Sequence, residues 1–127
     1  MVYSITGTEA KAQLAAGCKR TLAQALAVLP GPQGERSVAV LEHGTLQLKV
    51  YAPRGTDLQQ PHTRDELYVV ASGSGEFVTA NERIPFAAED ALFVAAHAAH
   101  RFENFSADFV TWVVFYGPEG GETPDAA

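Results

Sequence analysis

The sequence has a single cysteine and no long hydrophobic run, and each shortage excludes a class of protein. Cys18 has no second cysteine with which to form an internal disulfide or a cysteine-rich zinc site. No apolar stretch approaches the roughly 20 residues that a membrane-spanning helix needs. The N-terminus lacks a basic segment followed by an apolar run and a cleavage site, so we expect no signal peptide and a cytoplasmic location.

Basic residues are also scarce, because nine Lys and Arg stand against fifteen Asp and Glu and leave a net charge of −6. A surface of this sign repels phosphate groups, and no cluster of Lys and Arg occurs along the chain. We therefore expect neither nucleic acid nor an anionic membrane as a partner. The 127 residues are enough for one ordinary globular domain and too few for two.

Residues 8–29 have a helical pattern. Residues at steps of four or three form one apolar stripe, which consists of Leu14, Cys18, Leu22, Leu26 and Leu29. Thr6 and Glu9 have the spacing of a capping box, Thr8 is an alternative cap, and a Pro-Gly pair after residue 29 ends the run. Gly17 weakens the middle, so two short helices would also fit.

From residue 37 onward, short β-rich runs alternate with turn residues. We predict strands at Val38–Leu41, Leu46–Ala52, Leu67–Ala71, Glu76–Ala80, Arg83–Phe86, Ala91–Ala95, His100–Phe105 and Phe109–Tyr116. Many short strands without intervening helices indicate an antiparallel sandwich or barrel. In the second run, apolar and polar residues alternate, so we expect Leu46 and Leu48 to face the interior. Lys49 and Tyr51 would then point outward.

The last predicted strand is apolar on both faces, with Trp112 and Tyr116 on one and Val113 and Phe115 on the other. Such a strand has barrel core on one side and another element on the other. The N-terminal helix or a second subunit is the expected cover, and we predict a homodimer.

The patterns divide the chain into three segments. We predict an N-terminal helical extension over residues 1–36, a β-barrel over residues 37–117 and a flexible tail over residues 118–127. The tail is rich in Gly, Pro and acidic residues.

Two segments of the predicted barrel carry residues suited to binding a metal. Gln60, His62 and Glu66 share parity, so an extended chain would point all three to one face. His100 opens a later strand, and if both faces line one interior, two imidazoles, a carboxylate and an amide oxygen converge there. That set of donors suits one divalent ion of Fe, Mn, Zn, Ni or Co, and two His with a carboxylate form the triad of non-haem iron oxygenases.

The pattern resembles the cupin family, whose first motif runs from a glycine through His-any-His and a glutamate to a second glycine. The residues at these places are Gly55, Gln60, His62, Glu66 and Gly73, with Gln60 replacing the first histidine. Those on the second motif are Glu89, Asp90, Ala95, His97, His100 and Asn104, with its glycines and proline replaced. The resemblance covers roughly Val38 to Tyr116, and the run from Pro61 to Gly75 looks like small single-domain bacterial cupins. It implies an all-β double-stranded β-helix, a jelly-roll barrel, with a metal at one mouth.

Departures from the motifs have physical consequences. Gln60 offers an amide oxygen where an imidazole is usual, which lowers the expected affinity for late transition metals. Glu89 and His97 stand where glycine often supplies a positive φ, so those turns would differ in shape or carry strain. His97 would be an extra ligand, a proton shuttle or, as we favour, a solvated loop residue. We expect Asn104 to hold a turn.

Three further residues share faces with the predicted ligands and are candidates for a substrate pocket. Arg64 would either clamp a substrate carboxylate or pair with Asp65 or another nearby acid. Tyr68 and Phe102 would either form the sides of a pocket or fill the barrel.

Two functions fit this pattern. The first is a metal-dependent enzyme of dioxygenase, isomerase or lyase type, acting on a small molecule that carries a carboxylate or a hydroxyl. The second is a non-catalytic module that binds or senses a small ligand in the barrel. A purely structural protein is disfavoured, because ligand-type polar residues are a costly filling for a barrel.

Overall fold

A computed structural model describes the backbone of residues 2–4 and the whole of residues 17–123. Within these residues the chain is built from strands and one short helix. The elements in chain order are β1 (Val2–Ser4), α1 (Leu22–Leu26), β2 (Ser37–His43), β3 (Leu46–Tyr51), β4 (Asp65–Ser72), β5 (Ser74–Thr79), β6 (Arg83–Ala87), β7 (Ala91–Val94), β8 (His100–Glu103) and β9 (Val110–Tyr116). The described part of the chain contains no helix long and apolar enough to cross a membrane.

The strands form two sheets. The larger has the order β1-β2-β3-β9-β4-β7 and the smaller the order β6-β5-β8. Strand β1 runs parallel to β2, whereas the pairs from β2 to β9 are antiparallel. This arrangement confirms the all-β jelly-roll barrel predicted from the sequence, and every predicted strand has a counterpart among the observed ones.

The two sheets enclose a core dominated by aromatic rings, which we call the inner cluster. Its buried members are Tyr68, Val70, Phe77, Phe86, Leu92, Val94, Phe102, Phe109, Val113 and Phe115. The Phe102 ring centroid lies 4.9 Å from that of Tyr68 and 4.8 Å from that of Phe109, both edge-on. Such contacts stabilise a core beyond the area that they bury.

A second core lies on the other side of the larger sheet, and we call it the outer cluster. Its buried members are Ala25, Val38, Val40, Val50, Ala52 and Val110. Partly buried residues of the N-terminal segment, including Leu22, Leu26 and Leu29, pack against it together with Trp112. The N-terminal segment is therefore one cover of the last strand, as the sequence predicted.

The outer cluster overturns the predicted orientation of β3. Leu48 and Val50 face the N-terminal segment, whereas Tyr51 packs on the inner cluster. Lys49 shares that inward face and is only 8% exposed. The sequence correctly predicted that successive side chains of β3 alternate between two faces. Because both faces are covered, hydrophobicity alone does not indicate which face lines the barrel interior, and the predicted face was the wrong one.

The predicted helix over residues 8–29 is too long in its described part, which contains only a short helix. Residues 17–20 are not helical, and α1 spans only Leu22–Leu26. Thr21 caps it through a capping box, in which its hydroxyl accepts from the backbone N–H of Gln24 and the Gln24 side chain accepts from the backbone N–H of Thr21. The predicted caps at Thr6 and Thr8 lie outside the described residues.

Residues after β9 are held against the start of β4. The backbone N–H of Gly120 donates to the carbonyl of Thr63, and that of Glu122 donates to the Asp65 carboxylate at 2.8 Å. A second Asp65 oxygen accepts from the backbone N–H of Ala96. Residues 124–127 of the predicted tail lie outside the described residues, and the three-part division of the chain stays a prediction.

Candidate metal centre

Three of the predicted ligands converge at one end of the barrel. His62 lies in the loop before β4, Glu66 is the second residue of β4, and His100 opens β8 in the smaller sheet. One ligand atom from each side chain lies within 4.8 Å of the others. Glu66 Oε1 is 3.3 Å from His100 Nε2 and 4.0 Å from His62 Nε2. The two imidazole centroids are 5.7 Å apart, so both rings can bind the same metal ion.

The Glu66 carboxylate supplies the strongest sign that an ion belongs here. Its residue is 1% exposed, and its Oε1 atom accepts no hydrogen bond of acceptable geometry from the described residues. A buried carboxylate oxygen without a donor is costly, and buried charges in proteins are usually paired or bound to metals. The same oxygen faces the Nε2 atoms of both histidines. The residues therefore fit a divalent ion with nitrogen and oxygen ligands.

The ring of His100 is oriented by the backbone. Its Nδ1 lies 2.9 Å from the carbonyl oxygen of Ala98, which assigns a proton to Nδ1 and leaves Nε2 toward Glu66. Burial alone would lower the pKa of His100, but the Glu66 carboxylate and the Ala98 carbonyl outweigh it and raise that pKa. Burial dominates at His62 and lowers its pKa, so this imidazole is ready to act as a neutral ligand.

His62 is held by its backbone and by an aromatic ring. Its carbonyl accepts a hydrogen bond of 2.6 Å from the backbone N–H of His97. Its imidazole lies edge-on to Phe115, with centroids 4.8 Å apart. The His97 side chain is exposed and its φ is +67°, so the structure favours the solvated loop residue over a ligand.

The turns at Glu89 and His97 have positive φ, so of the two expectations, a changed shape or strain, the structure shows strain. Glu89 has a φ of +77°, which places it, like His97, in the left-handed region that favours glycine. Asn104 also has a positive φ, of +51°, and its side-chain amide donates to Glu76. Its predicted role in holding a turn agrees with this contact.

A series of hydrogen-bonded polar side chains leads away from His100, and the sequence analysis missed it. The Tyr68 hydroxyl lies 3.1 Å from His100 Nε2 and donates to Gln59 Oε1 at 3.0 Å. The Gln59 amide donates in turn to Asp57 at 2.6 Å, which fixes which end of the amide faces Tyr68. Asp57 also accepts from the Tyr51 hydroxyl and from the backbone N–H of Phe102.

The surroundings of these polar side chains keep the phenol groups of Tyr51 and Tyr68 protonated. Burial, together with the neighbouring carboxylates, raises the pKa of Tyr51 and of Tyr68 well above the usual range. Both therefore remain hydrogen-bond donors at neutral pH. No local sequence signal reveals this series of side chains, because its members come from β3, β4 and the loop between them.

The other predicted site residues divide between the cavity and its surroundings. Tyr68 lines a cavity of about 340 Å³ that also includes His62 and Glu66. Gln60 is exposed and outside that lining, where its neighbour Gln59 stands instead. Arg64 donates to the carbonyl of Thr45 and lies 5.9 Å from the Phe115 ring, also outside the lining.

Phe102 is 1% exposed and fills the barrel as part of the inner cluster. Lys49, which the sequence analysis placed outward, lines the cavity. Its ammonium lies 4.9 Å from the centroid of the Phe115 ring. Burial lowers the pKa of Lys49 to about 8.

Comparison with known proteins agrees with this architecture. The family model described as cupin domain matches residues 47–116. An uncharacterized protein of Streptomyces coelicolor is 39% identical over 64 residues, which are 50% of this chain and 61% of that relative. The chain thus covers less than two thirds of the length of the curated relative that it matches.

Solved structures of low identity share the fold. A cupin superfamily protein of Desulfitobacterium hafniense has a TM-score of 0.54 at 19% identity, over 63% of this chain and 74% of that one. KdgF from Halomonas sp. has a TM-score of 0.56 at 18% identity, over 63% and 77%. DMSP lyase DddQ from Ruegeria pomeroyi has a TM-score of 0.53 at 20% identity, over 59% and 40%. At these identities the similarity establishes the fold alone.

Proposed function

This chain belongs to the cupin family, and from that premise we propose that it binds one divalent metal ion and acts as an enzyme on a small polar molecule. His62, Glu66 and His100 would hold the ion. The observation that carries the proposal is the buried Glu66 Oε1, which faces two imidazole nitrogens and accepts no hydrogen bond from the described residues. When both imidazoles are neutral, a cation is the partner that this oxygen lacks.

The donor set fits Fe, Mn, Zn, Ni or Co. A bound ion of this kind would supply Lewis acidity, by polarising a ligand oxygen or lowering the pKa of a bound water. The chain itself orients His100 through Ala98 and holds His62 through the backbone N–H of His97. Tyr68 borders both His100 and the cavity, so we propose that it positions the substrate.

Reactions of dioxygenase, isomerase or lyase type are the classes that we propose for this site. One of the solved structures that share the fold is a lyase by name. Three protein ligands leave open coordination positions, and the cavity beside them has room for a small substrate.

Elemental analysis of purified protein tests the proposal without a known substrate. We expect about one equivalent of a transition metal in the wild type, and below about 0.1 equivalent in His62→Ala and His100→Ala, because each removes one of three ligands. His43→Ala is the matched control, since His43 is exposed and is the last residue of β2. A wild type that holds no metal after soaking with each candidate ion contradicts the proposal.

A non-catalytic binding module is the second candidate, because the cavity of about 340 Å³ can hold a small ligand whether or not chemistry follows. A thermal-shift screen of metal-free protein separates the two candidates. Strong stabilisation by an organic ligand without metal favours the binding module. Stabilisation that requires the ion favours the enzyme.

We also propose that the protein is a cytoplasmic homodimer. Its outward apolar surface on β4 and β7 includes Val69 at 36% and Phe93 at 55% exposure. These strands are neighbours, with Leu67 opposite Phe93. Exposed apolar side chains that adjoin one another are typical of association surfaces. Light scattering should give twice the chain mass for the wild type and the chain mass for Phe93→Ser; a monomeric wild type at micromolar concentration contradicts the proposal.

A further inference from the structure

We infer that the ligand of the cavity is a small organic acid and that Lys49 is the residue that binds its carboxylate. The inference deepens the proposed function, and it rests on that function only in placing the rest of the ligand beside the metal ion.

Lys49 is a buried cation that lacks an anionic partner. It is 8% exposed, and among residues 17–123 its ammonium forms no hydrogen bond and no ion pair within 4.0 Å. The face of Phe115, with its centroid at 4.9 Å, is its nearest favourable contact. A ring face compensates for only part of the hydration that an ammonium loses on burial. An anion in the cavity would supply the missing partner.

Among the carboxylates that raise the pKa of Lys49, Glu66 has a larger effect than Glu42, but it is already engaged. Its carboxylate raises the pKa of Lys49, yet the two groups do not form an ion pair. Its Oε1 points instead to the two imidazole nitrogens. When an ion neutralises Glu66, the Lys49 ammonium is left with no compensating charge from that side.

The charge of the cavity supports the same conclusion. The charged side chains of its lining are Glu35, Arg36, Lys49, Arg54 and Glu66, which leave one net positive charge, and a divalent ion would raise it to three. The whole chain, by contrast, carries −6. A positive cavity in an acidic protein concentrates small anions and repels cations.

The three basic side chains of the cavity lining differ in how deeply they are buried. Arg36 donates to the carbonyl of Ala52, and Arg54 donates to the carbonyls of Ala52 and Pro53, so both are partly engaged. Arg54 is exposed and Arg36 half-buried, which places them toward solvent, where they would attract the anion. Lys49 is the deepest of the three and shares the cavity with His62 and Glu66. A volume of about 340 Å³ is at the small end of ligand pockets, which excludes large acids.

Calorimetric titration with three matched pairs of probes tests the inference. Each pair is an acid and its neutral amide of the same shape: acetate and acetamide, malonate and malonamide, succinate and succinamide. We expect at least one acid to bind wild-type protein at least about tenfold more tightly than its amide, because only the acid can pair with the ammonium. Lys49→Met should lose this preference, whereas Lys19→Met, which changes an exposed lysine, should keep it.

Each arm is run on metal-free protein and on protein loaded with zinc, and the metal content is measured in the same samples. Absence of metal from every sample would contradict the proposed function, while the preference for acid over amide still decides the role of Lys49. If Lys49→Met does not fold, the wild-type preference and its retention in Lys49→Arg decide it. Equal binding of acid and amide, no binding of any acid by about 20 mM, or tighter binding of inorganic phosphate than of every acid overturns the inference.

Discussion

The inner and outer clusters lie on opposite sides of the larger sheet, and they are built from different residues. The inner cluster is mainly aromatic and borders buried polar groups, including Glu66 and His100. The buried members of the outer cluster are all Ala and Val. The outer side of the sheet is thus packed with aliphatic residues, whereas the inner side combines aromatic packing with a polar site.

Strand β3 separates these two environments. Val50 and Leu48 contribute to the outer cluster, while Lys49 and Tyr51 line the cavity on the inner side. A one-residue step along β3 thus moves from a purely apolar layer to the ligand cavity, because successive side chains of a strand point to opposite faces. The predictions below test this division, from the largest expected effect to the smallest.

The first prediction compares one residue from each cluster. Phe102→Ala should lower the free energy of unfolding by about 3–5 kcal/mol, because it removes a ring that contacts several others and leaves a cavity. Val50→Ala should cost about 2 kcal/mol, since it removes less apolar volume. Urea denaturation measures both. Equal losses would mean that the aromatic packing of the inner cluster adds nothing to its stability.

The second prediction concerns the buried charge on the inner face of β3. In metal-free protein without a ligand, Lys49→Met should raise the free energy of unfolding at pH 7 by about 1–3 kcal/mol, because it removes a partnerless ammonium. The pKa of Lys49 is lowered from 10.5 to about 8 in the folded protein, so the wild-type penalty is complete below pH 8.

This penalty should disappear as the pH rises from about 8 to 10.5, because the unfolded chain then also releases the proton. The advantage of Lys49→Met should therefore shrink between pH 7 and pH 10 in urea denaturation. Lys19→Met should show no comparable change, since Lys19 is exposed. A difference between wild type and Lys49→Met that is independent of pH would contradict the burial of the ammonium.

The third prediction concerns the series of polar side chains that leads away from His100. Tyr68→Phe should lower the free energy of unfolding by about 1–2 kcal/mol, because it leaves the carbonyl oxygen of Gln59 without its donor. Tyr116→Phe is the control in β9 and should stay within about 0.5 kcal/mol, since among the described residues the Tyr116 hydroxyl forms no hydrogen bond. If Tyr68→Phe also lowered the free energy of unfolding by no more than about 0.5 kcal/mol, water would be replacing the missing hydroxyl.

The fourth and smallest effect is expected at Asp65, outside both clusters. Hydrogen bonds from the backbone N–H groups of Glu122 and Ala96 lower the pKa of its carboxyl below the ordinary 3.8. The Asp65 carboxylate therefore stabilises the folded protein fully above about pH 3.8, and this stabilisation is lost as the pH falls through the lowered pKa.

Asp65→Asn should accelerate hydrogen exchange at the Glu122 amide at neutral pH and leave the inner cluster protected, whereas Asp108→Asn, at an exposed turn, should change neither. Unchanged exchange at Glu122 in Asp65→Asn would show that the carboxylate does not anchor the segment after β9.

The sequence predicted the strands and the grouping of His62, Glu66 and His100 because both depend on local or repeated patterns. Short β-rich runs between turns located all of β2 to β9, and motif spacing brought His62, Glu66 and His100 together. Parity is a weak guide at Gln60, because residues 60–62 form a loop in which an alternating side-chain direction does not hold; Gln60 is exposed, and its role as a ligand stays a prediction. Gln59 therefore faces the cavity in its place.

The role of Lys49 and the series of polar side chains could not be predicted for a different reason. Whether a face of β3 is the interior depends on what packs against the other face, and that partner is an N-terminal segment whose last packed residue, Leu29, precedes β3 by 17 residues. Asp57, Gln59 and Tyr68 meet only because the fold brings the loop after β3 beneath β4 and β8. Sequence spacing carries no information about such contacts.

The location of the three proposed ligands also bears on how the two sheets separate when the protein unfolds. His62 and Glu66 precede and begin a strand of the larger sheet, whereas His100 begins a strand of the smaller one. An ion held by all three would join the two sheets and close a loop of 33 residues between Glu66 and His100. Separation of the sheets would then require release of the ion, so the unfolding rate should depend on the concentration of free metal.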